Sequence, residues 1–313
     1  MKPKVYIDGK EGTTGLQIYD RLARRQDIEL LLIDEDKRKD VEERRRLLNA
    51  ADLVFLCLPD QAAREAVSLV TNDHTRIIDA STAHRTAPGW DYGFPELSAA
   101  RRAAIVKSRR VANPGCHATG FISIVAPLVQ ARVLPAEADL SCFSLTGYSG
   151  GGKKMIAQYE AEDRGALLSS PALYALTQGH KHLPEMQAVC GLAAPPAFVP
   201  VVADYYCGMQ TILPLHMALA KAPAGELARA LAGYYAGQSQ ITVHPLGEVP
   251  ENGFLASNAL AGSDRLEIYC TASPDGSQML LAALFDNLGK GASGAAVQCM
   301  NLMLGLPETA GLE

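Results

Sequence analysis

Near its N-terminus the chain reads Val5-Tyr6-Ile7-Asp8-Gly9-Lys10-Glu11-Gly12-Thr13-Thr14-Gly15, and a helical pattern then continues from Leu16 to about Arg25. Strand, glycine turn and helix in this order are typical of the first βαβ unit of a dinucleotide-binding domain, although the spacing is G-x-x-G-x-x-G. Such glycines let the backbone approach a pyrophosphate at the helix N-terminus, and the alternative is an ordinary tight turn. The predicted cofactor contacts here are Gly9, Gly12, Thr13, Thr14 and Gly15.

Strand and helix patterns keep alternating up to about residue 112. The run 53–58 is apolar throughout, as in a buried parallel strand, and the segments 60–70 and 76–81 read as its crossover helix and the next strand. This alternation predicts a doubly wound α/β domain of the Rossmann type. After about residue 135, several strands follow one another without intervening helices, which predicts a mixed sheet with α+β character.

A reactive cysteine is predicted in Asn113-Pro114-Gly115-Cys116. Asn-Pro-Gly is turn chemistry, and the apolar run 121–129 that follows resembles a buried helix. Cys116 should therefore stand at a helix N-terminus, where free N–H groups and the helix dipole favour a thiolate. The alternative is that Cys116 is a small buried hydrophobe, as most free cysteines are. The turn and the helix favour the nucleophile.

A second polar cluster lies in Gly179-His180-Lys181-His182-Leu183-Pro184-Glu185. If this segment is extended, His180 and His182 point the same way. No third ligand stands at a metal-binding spacing, so we predict no metal site. General acid–base chemistry needs only one histidine near the nucleophile and a carboxylate to orient it. We favour His180 as the base, with His182 in support and Glu185 as the orienting carboxylate.

Cationic side chains mark possible anion sites. Arg38, with Lys39, is predicted to accept the 2′-phosphate of NADP, whereas Arg44 to Arg46 read as a solvated helix face. Asp34 ends the second strand, where an NAD enzyme often carries an acid for the ribose. Arg85 follows a parallel strand and is predicted to hold an anionic end of the substrate, the alternative being a surface arginine. The glycine loop 147–154 with its two lysines reads equally well as a mobile connector or an anion site.

Composition narrows the class of protein. The chain has 313 residues, a hydrophobic fraction of 48% and a formal net charge of −5, which argue for a soluble enzyme and against a broad nucleic-acid surface. Its seven cysteines are odd in number and form no C-x-x-C pair, which favours free thiols in a reducing compartment. No secretory signal and no apolar run of membrane-spanning length is present, so we expect a cytoplasmic protein without a membrane partner.

The chain resembles the N-acetyl-γ-glutamyl-phosphate reductase family in its shorter form. The resemblance is carried, in the family's order, by the stretches 12–15, 79–81, 92–96, 113–116, 180–185 and 286–291. It implies a Rossmann domain and a mixed α+β catalytic domain of the semialdehyde-dehydrogenase kind, with the final helix returning to the first domain. The domains implied are residues 1–115 with 290–313, and residues 116–289.

The same resemblance implies the chemistry. The family reduces an acyl phosphate to an aldehyde with NADPH, through a thioester that would form here on Cys116. It adds Ser81 and Asn287 to the predicted cofactor contacts, and Asn113 and His117, beside Arg85, to the predicted substrate contacts. It also implies a small-molecule substrate and a homo-oligomer, either a dimer or a tetramer. The loop that carries Lys153 and Lys154 matches the longer form of the family poorly.

Sister enzymes with the same chemistry remain alternatives. They are aspartate-semialdehyde and glyceraldehyde-phosphate dehydrogenases and the aminoadipate-pathway reductase, and the cluster 180–185 favours the first family over aspartate-semialdehyde dehydrogenase. A non-catalytic NAD(P)-sensing protein on a Rossmann scaffold is an alternative of another class. The paired cysteine and histidine argue against it.

Overall fold

The computed structural model describes residues 1–10 and 12–313. The chain divides into two compact units, of which the first comprises Met1–Pro114 with Ala292–Glu313 and the second Gly115–Gly291. The helices are α1 (Thr13–Leu22), α2 (Val41–Ala50), α3 (Asp60–Leu69), α4 (Ala99–Lys107), α5 (Cys116–Gln130), α6 (Gly152–Glu160), α7 (Leu183–Cys190), α8 (Ala224–Tyr234) and α9 (Gly294–Leu304). The strands are β1 (Lys4–Asp8), β2 (Glu29–Leu31), β3 (Leu53–Leu56), β4 (Arg76–Asp79), β5 (Asp91–Tyr92), β6 (Arg110–Ala112), β7 (Ser141–Gly147), β8 (Ala172–Leu173), β9 (Ala197–Ala203), β10 (Met209–His216), β11 (Ile241–Val243), β12 (Leu266–Ala272) and β13 (Gln278–Phe285).

The first unit is built on a parallel sheet with strand order β2-β1-β3-β4-β6-β5. Successive side chains of β1 enter different cores, because side chains of a strand alternate between its faces. Val5 packs in a core with Ile18 of α1 and Val297 of α9, whereas Tyr6 packs in a core with Leu48 of α2. Helices therefore cover both faces of this sheet, and the predicted doubly wound α/β architecture is confirmed.

The second unit is built on a mixed sheet with strand order β11-β12-β13-β10-β7-β9-β8. β7 runs parallel to β9 but antiparallel to β10, and β10 pairs antiparallel with β13. Helix α5 packs on β10 and β13 and also against α7 and α8. It is buried along nearly its whole length, which explains its almost continuous apolar sequence. The predicted α+β character of this part is confirmed.

Some predicted boundaries shift. Helix α1 begins at Thr13, with Gly12 as its N-cap, and the final helix α9 is preceded by a π-helical turn over Gly289–Ser293. The predicted domains, residues 1–115 with 290–313 and residues 116–289, stay a prediction. Among the helices of the described residues, none is long and apolar enough to cross a membrane.

Candidate active site

The cysteine turn has the predicted local geometry. Gly115 is the N-cap of α5 with extended backbone angles, and Cys116 is the first helical residue. The side chain of Cys116 is half-buried, whereas Cys142, Cys190, Cys270 and Cys299 are buried. A Cβ atom on Gly291 would lie 3.0 Å from the Cβ of Cys116, a tight contact that the glycine avoids. The N–H groups of the first helical turn favour an anion at this position.

A buried carboxylate ties the cysteine turn to helix α7. Glu185 is 1% exposed and lies in the first turn of α7, and its Oε2 accepts a hydrogen bond of 3.1 Å from the backbone N–H of Gly115. Sequence reasoning assigned Glu185 to the orientation of a histidine, which stays a prediction. The hydrogen bond to Gly115 fixes the residue immediately before the cysteine.

The histidine segment is a turn, so the condition of an extended segment is not met. His182 has helical angles (φ −90°, ψ −11°) and is followed by Pro184 in the first turn of α7, where proline is favoured. The N–H of Leu183 donates to the carbonyl of His180, which closes the turn. The two imidazoles nevertheless meet, with ring centroids 4.7 Å apart.

The hydrogen bonds of His180 define its neutral form. The backbone N–H of His182 donates to Nδ1 of His180 at 3.2 Å. Nδ1 therefore accepts, and the tautomer assigned from this contact carries its proton on Nε2. In this form His180 offers an N–H to a neighbouring oxygen.

His117 joins the cluster from the cysteine helix. Its ring centroid lies 5.4 Å from that of His180 and 5.5 Å from that of His182. Its Nδ1 hydrogen-bonds with Ser144 Oγ at 2.7 Å and its Nε2 with Tyr174 Oη at 2.5 Å. Burial, followed by the charges of His180 and Lys181, holds the pKa of His117 well below its usual range. Both nitrogens bind protein hydroxyls in this structure, and the substrate contact that we predicted for His117 stays a prediction.

The glycine turn of the first unit fits a nucleotide phosphate. Gly9 has φ +88°, and added Cβ atoms on Gly9 and Gly15 would lie 2.4 Å from the Cys57 carbonyl and 2.5 Å from the Gly9 carbonyl. These two glycines are therefore required by the turn itself. A Cβ on Gly12 would meet only ordinary contacts, and Gly12 provides no side-chain cap for α1. Within the described residues, the buried Oγ1 of Thr13 has no hydrogen-bond partner. The N–H groups at the start of α1 and the hydroxyl of Thr13 are therefore placed to bind an anion such as a phosphate.

A polar network follows β4 in the same unit. The Asp79 carboxylate accepts from the N–H and Oγ of Ser81 and lies 2.6 Å from Nδ1 of His84, whose ring stacks on Trp90 at 4.1 Å. Arg85 donates through Nε to the carbonyl of Asn113 at 3.1 Å. Sequence reasoning missed His84, although a histidine five residues after a strand-ending aspartate was visible.

The two predicted asparagines have different environments. Asn113 donates through Nδ2 to the Ala292 carbonyl, while its buried Oδ1 has no partner within the described residues. Asn287 accepts from the N–H of Gly208 and donates to Ser149 Oγ, so each end of its amide makes one hydrogen bond. In the glycine loop, Tyr148–Gly151 forms a 3-10 turn that leads into α6, and the choice between connector and anion site stays open.

The basic cluster divides into exposed and buried members. The Arg38 side chain is 48% exposed, with its guanidinium 3.9 Å from Glu35. Arg44 is buried and forms an ion pair of 2.8 Å with Asp8 at the end of β1, so our reading of it as part of a solvated face is wrong. The reason is tertiary: α2 turns Arg44 inward towards a carboxylate that precedes it by 36 residues.

Within the part of the chain that the structure describes, no group of three or more potential ligands could hold a metal ion.

Comparison with known proteins identifies the family of both parts of the chain. Residues 4–105 match the family model of the semialdehyde dehydrogenase NAD-binding domain, and residues 116–287 match that of the semialdehyde dehydrogenase dimerisation domain. N-acetyl-γ-glutamyl-phosphate reductase 2 of a Nostoc species is 47% identical, with 99% of each chain covered. The N-acetyl-γ-glutamyl-phosphate reductase of Rhizobium meliloti is 48% identical over 97% of this chain and 99% of that protein.

Solved structures support the fold alone. Aspartate semialdehyde dehydrogenase II of Vibrio cholerae, complexed with ASA, superposes with a TM-score of 0.71 at 16% identity, covering 97% of this chain and 98% of that chain. The aspartate semialdehyde dehydrogenase of Candida albicans with NADP gives a TM-score of 0.66 at 12% identity, covering 97% of this chain and 99% of that chain.

Proposed function

The chain belongs to the N-acetyl-γ-glutamyl-phosphate reductase family, and on that basis we propose that it reduces N-acetyl-γ-glutamyl phosphate to N-acetylglutamate semialdehyde and phosphate in arginine biosynthesis. The observation that carries the proposal is Cys116 at the N-terminus of α5, next to His117 and its contacts with His180 and His182. An acyl-phosphate reductase needs a thiolate nucleophile and a proton carrier beside it, and this cluster provides both.

Cys116 begins the reaction. Its thiolate attacks the acyl carbon, a carbon–sulfur bond forms, and phosphate leaves with the electron pair of the carbon–oxygen bond, which leaves a thioester on Cys116. The negative oxygen of the tetrahedral species would be held by N–H groups of the first turn of α5. Removing one such donor typically costs about 100- to 1,000-fold in rate. Glu185 contributes by fixing the backbone of Gly115 before the nucleophile.

A histidine of this cluster would act as the general acid and base. Reduction of the thioester leaves a thiohemiacetal oxyanion on Cys116, which the imidazolium form of His180 would protonate. The ring, then neutral, would take the proton back as the aldehyde forms and the thiolate leaves. When bound, a nicotinamide dinucleotide supplies the hydride for the reduction. We propose that the turn of the first unit holds its phosphates, through Gly12, Thr13 and Thr14.

The other predicted contacts are also part of this proposal. Arg85 and Asn113 would bind polar or anionic ends of the substrate, and the buried Oδ1 of Asn113, which has no hydrogen-bond partner among the described residues, supports this role. Ser81 and Asn287 would contact the cofactor. We also propose a cytoplasmic location, because all seven cysteines are free thiols, which suits a reducing compartment.

The function is tested by the reverse reaction. Purified protein is given phosphate, a nicotinamide cofactor and one of three aldehydes: N-acetylglutamate semialdehyde, aspartate semialdehyde or the aminoadipate-pathway homologue. We expect the highest kcat/KM with N-acetylglutamate semialdehyde and dependence on phosphate. Higher kcat/KM with another aldehyde would assign the chain to a sister activity, and cofactor binding without turnover of any aldehyde would favour a sensor.

We propose NADP(H) as the preferred cofactor, supported by Arg38 and by the family. In the same assay, kcat/KM with NADP should exceed that with NAD by about 10-fold or more, as expected for one charge-assisted contact to the 2′-phosphate. Arg38→Ala should remove this preference, because it should lower kcat/KM with NADP and leave kcat/KM with NAD unchanged. Arg46→Ala is the matched control, because Arg46 is an exposed arginine paired with Glu43. Equal kcat/KM with both cofactors in the unmodified enzyme would refute the preference.

We propose that a second copy of the chain covers the open face of the mixed sheet. Phe143 and Leu280 are 42% and 41% exposed. Phe143 lies opposite Ile212 on the neighbouring strand, and Leu280 lies opposite Pro214, which is also exposed. An exposed apolar row on a sheet face is typical of an interface, and the matching family model is described as a dimerisation domain.

Light scattering on a sizing column tests this interface. The unmodified protein should have a mass of at least a dimer, and Leu280→Lys should shift it towards the monomer, since a desolvated charge disfavours association. Leu246→Lys is the control, because Leu246 is 42% exposed but lies in a loop beyond β11. A monomeric wild type, or an unchanged mass for Leu280→Lys, would contradict the proposal.

A further inference from the structure

Three imidazole rings and one phenyl ring form a contiguous cluster next to the cysteine. His117, His180 and His182 contact one another with centroid separations of 4.7 to 5.5 Å. Phe198 packs edge-on against His117 at 5.3 Å and against His180 at 5.0 Å. Two protonated imidazoles at such distances would repel each other strongly in a buried site. The cluster can therefore exchange a proton cleanly only if some of its rings are kept neutral.

His117 is the ring that the protein keeps neutral. It is 3% exposed, and its two partners, Ser144 and Tyr174, are hydroxyls that can either donate or accept. Ser144 Oγ is itself 3.2 Å from Thr211 Oγ1, so the chain of hydrogen bonds extends into the sheet. Hydroxyl partners satisfy a neutral imidazole and, unlike a carboxylate, add no negative charge that would favour the protonated ring. Burial works in the same direction, because it disfavours the charged form.

Tyr174 links this neutral ring to the candidate acid–base histidine. Its hydroxyl hydrogen-bonds with His117, and its ring lies 5.9 Å from the ring of His180. Burial, and then the nearby charge of Cys116, raise the pKa of the Tyr174 hydroxyl, so the phenol keeps its proton. Sequence reasoning did not single out this residue.

The backbone between Tyr174 and His180 is strained and firmly held. Ala175 and Gln178 have φ values of +51° and +59°, which are uncommon for residues other than glycine. The Gln178 side chain forms two hydrogen bonds of 2.8 Å with the backbone of Phe198, which fixes the segment to β9. Strain that the surroundings maintain is found preferentially at functional sites.

We propose that Tyr174 is a positioning residue for this reaction: its hydrogen bond keeps His117 neutral and in place, so that the exchanged proton is carried by His180 or His182. The inference rests on the proposed function only in requiring that a proton is exchanged at this cluster. Tyr174 acts through His117, and its hydroxyl is the group that matters.

The first test uses the free enzyme and does not depend on the substrate. Nitrogen-15 NMR spectra of the histidine rings are recorded from roughly pH 6 to 8, the range in which ordinary histidines titrate. One ring, assigned to His117 by its loss in His117→Asn, should stay neutral in a single tautomer. In Tyr174→Phe, which keeps the aromatic ring, this signal should move towards a mixture of tautomers. In the control Tyr234→Phe, which removes a surface hydroxyl bonded to Gln130, it should not move.

The second test is kinetic. Tyr174→Phe should lower kcat by about 10- to 100-fold, the cost of a misplaced catalytic group, with KM for the acyl phosphate within about 3-fold of wild type. The histidine limb of the pH–rate profile should shift as well. Ser144→Ala, which removes the other hydroxyl partner of His117, should produce the same signature. Melting temperatures of all variants report whether they are folded.

The outcomes separate the two proposals. An unchanged His117 signal in Tyr174→Phe overturns the positioning role whatever the substrate is. A raised KM with unchanged kcat and an unshifted pH profile also overturns it, because that pattern describes a binding contact. If the wild type fails to turn over the acyl phosphate and the semialdehyde, the proposed function fails, while the NMR measurement still decides the role of Tyr174.

Discussion

Cys116→Ser is expected to abolish turnover, lowering kcat by at least about 10³-fold, because a serine hydroxyl at this position is not ionised and cannot form the thioester at a useful rate. The fold and the affinity for the reduced cofactor should remain, since Cys116 is half-buried and the change is nearly isosteric. Turnover is measured with saturating acyl phosphate, and cofactor affinity by fluorescence of the reduced nicotinamide.

Cys207→Ser is the matched control for this variant. Cys207 is also a half-buried free thiol, but burial and the neighbouring Asp286 raise its pKa to about 12, so it is not an activated nucleophile. We expect near wild-type kcat from Cys207→Ser. A Cys116→Ser enzyme that keeps a sizeable share of wild-type kcat would show that catalysis does not pass through this cysteine.

His180→Asn is expected to have the second largest effect, lowering kcat by about 10²- to 10⁴-fold, as for the loss of a general acid–base group. Its Nε2–H is the donor defined by the turn, since Nδ1 accepts from the N–H of His182. The pH–rate profile of this variant should lose the limb that reports a histidine. His182→Asn should lower kcat less, because His182 would act by supporting His180.

Comparing the two variants across pH decides the assignment. If His182→Asn shows the collapse in kcat while His180→Asn mainly raises KM, the two roles are reversed. If neither variant lowers kcat, the proton carrier lies elsewhere in the chain.

Local sequence was sufficient to predict the cysteine turn. Asn-Pro-Gly before an apolar run specifies a sharp turn into a buried helix, and the structure has Gly115 as N-cap and Cys116 as the first residue of α5. The same holds for the alternation of strands and helices in the first unit, because hydrophobic periodicity is a local signal.

Long-range contacts could not be predicted in this way. The bond from Gly115 to Glu185 joins residues 70 positions apart, and the bond from His117 to Tyr174 joins residues 57 positions apart. Arg44 lies in a run of three arginines that looks solvated, and only the position of Asp8 explains its burial. The sequence left the conformation of the histidine segment open, and the structure has Pro184 in the first turn of a helix, where proline is favoured.

Trapping of the acyl-enzyme tests the account most directly. Wild-type protein is mixed with N-acetyl-γ-glutamyl phosphate without any nicotinamide cofactor, and the products are followed by phosphate release and peptide mass spectrometry. We expect a rapid release of about one phosphate per chain and an N-acetylglutamyl group on the peptide that carries Cys116, as for a covalent intermediate that accumulates. Phosphate release without acylation of Cys116, or acylation of another residue with Cys116 unmodified, would contradict it.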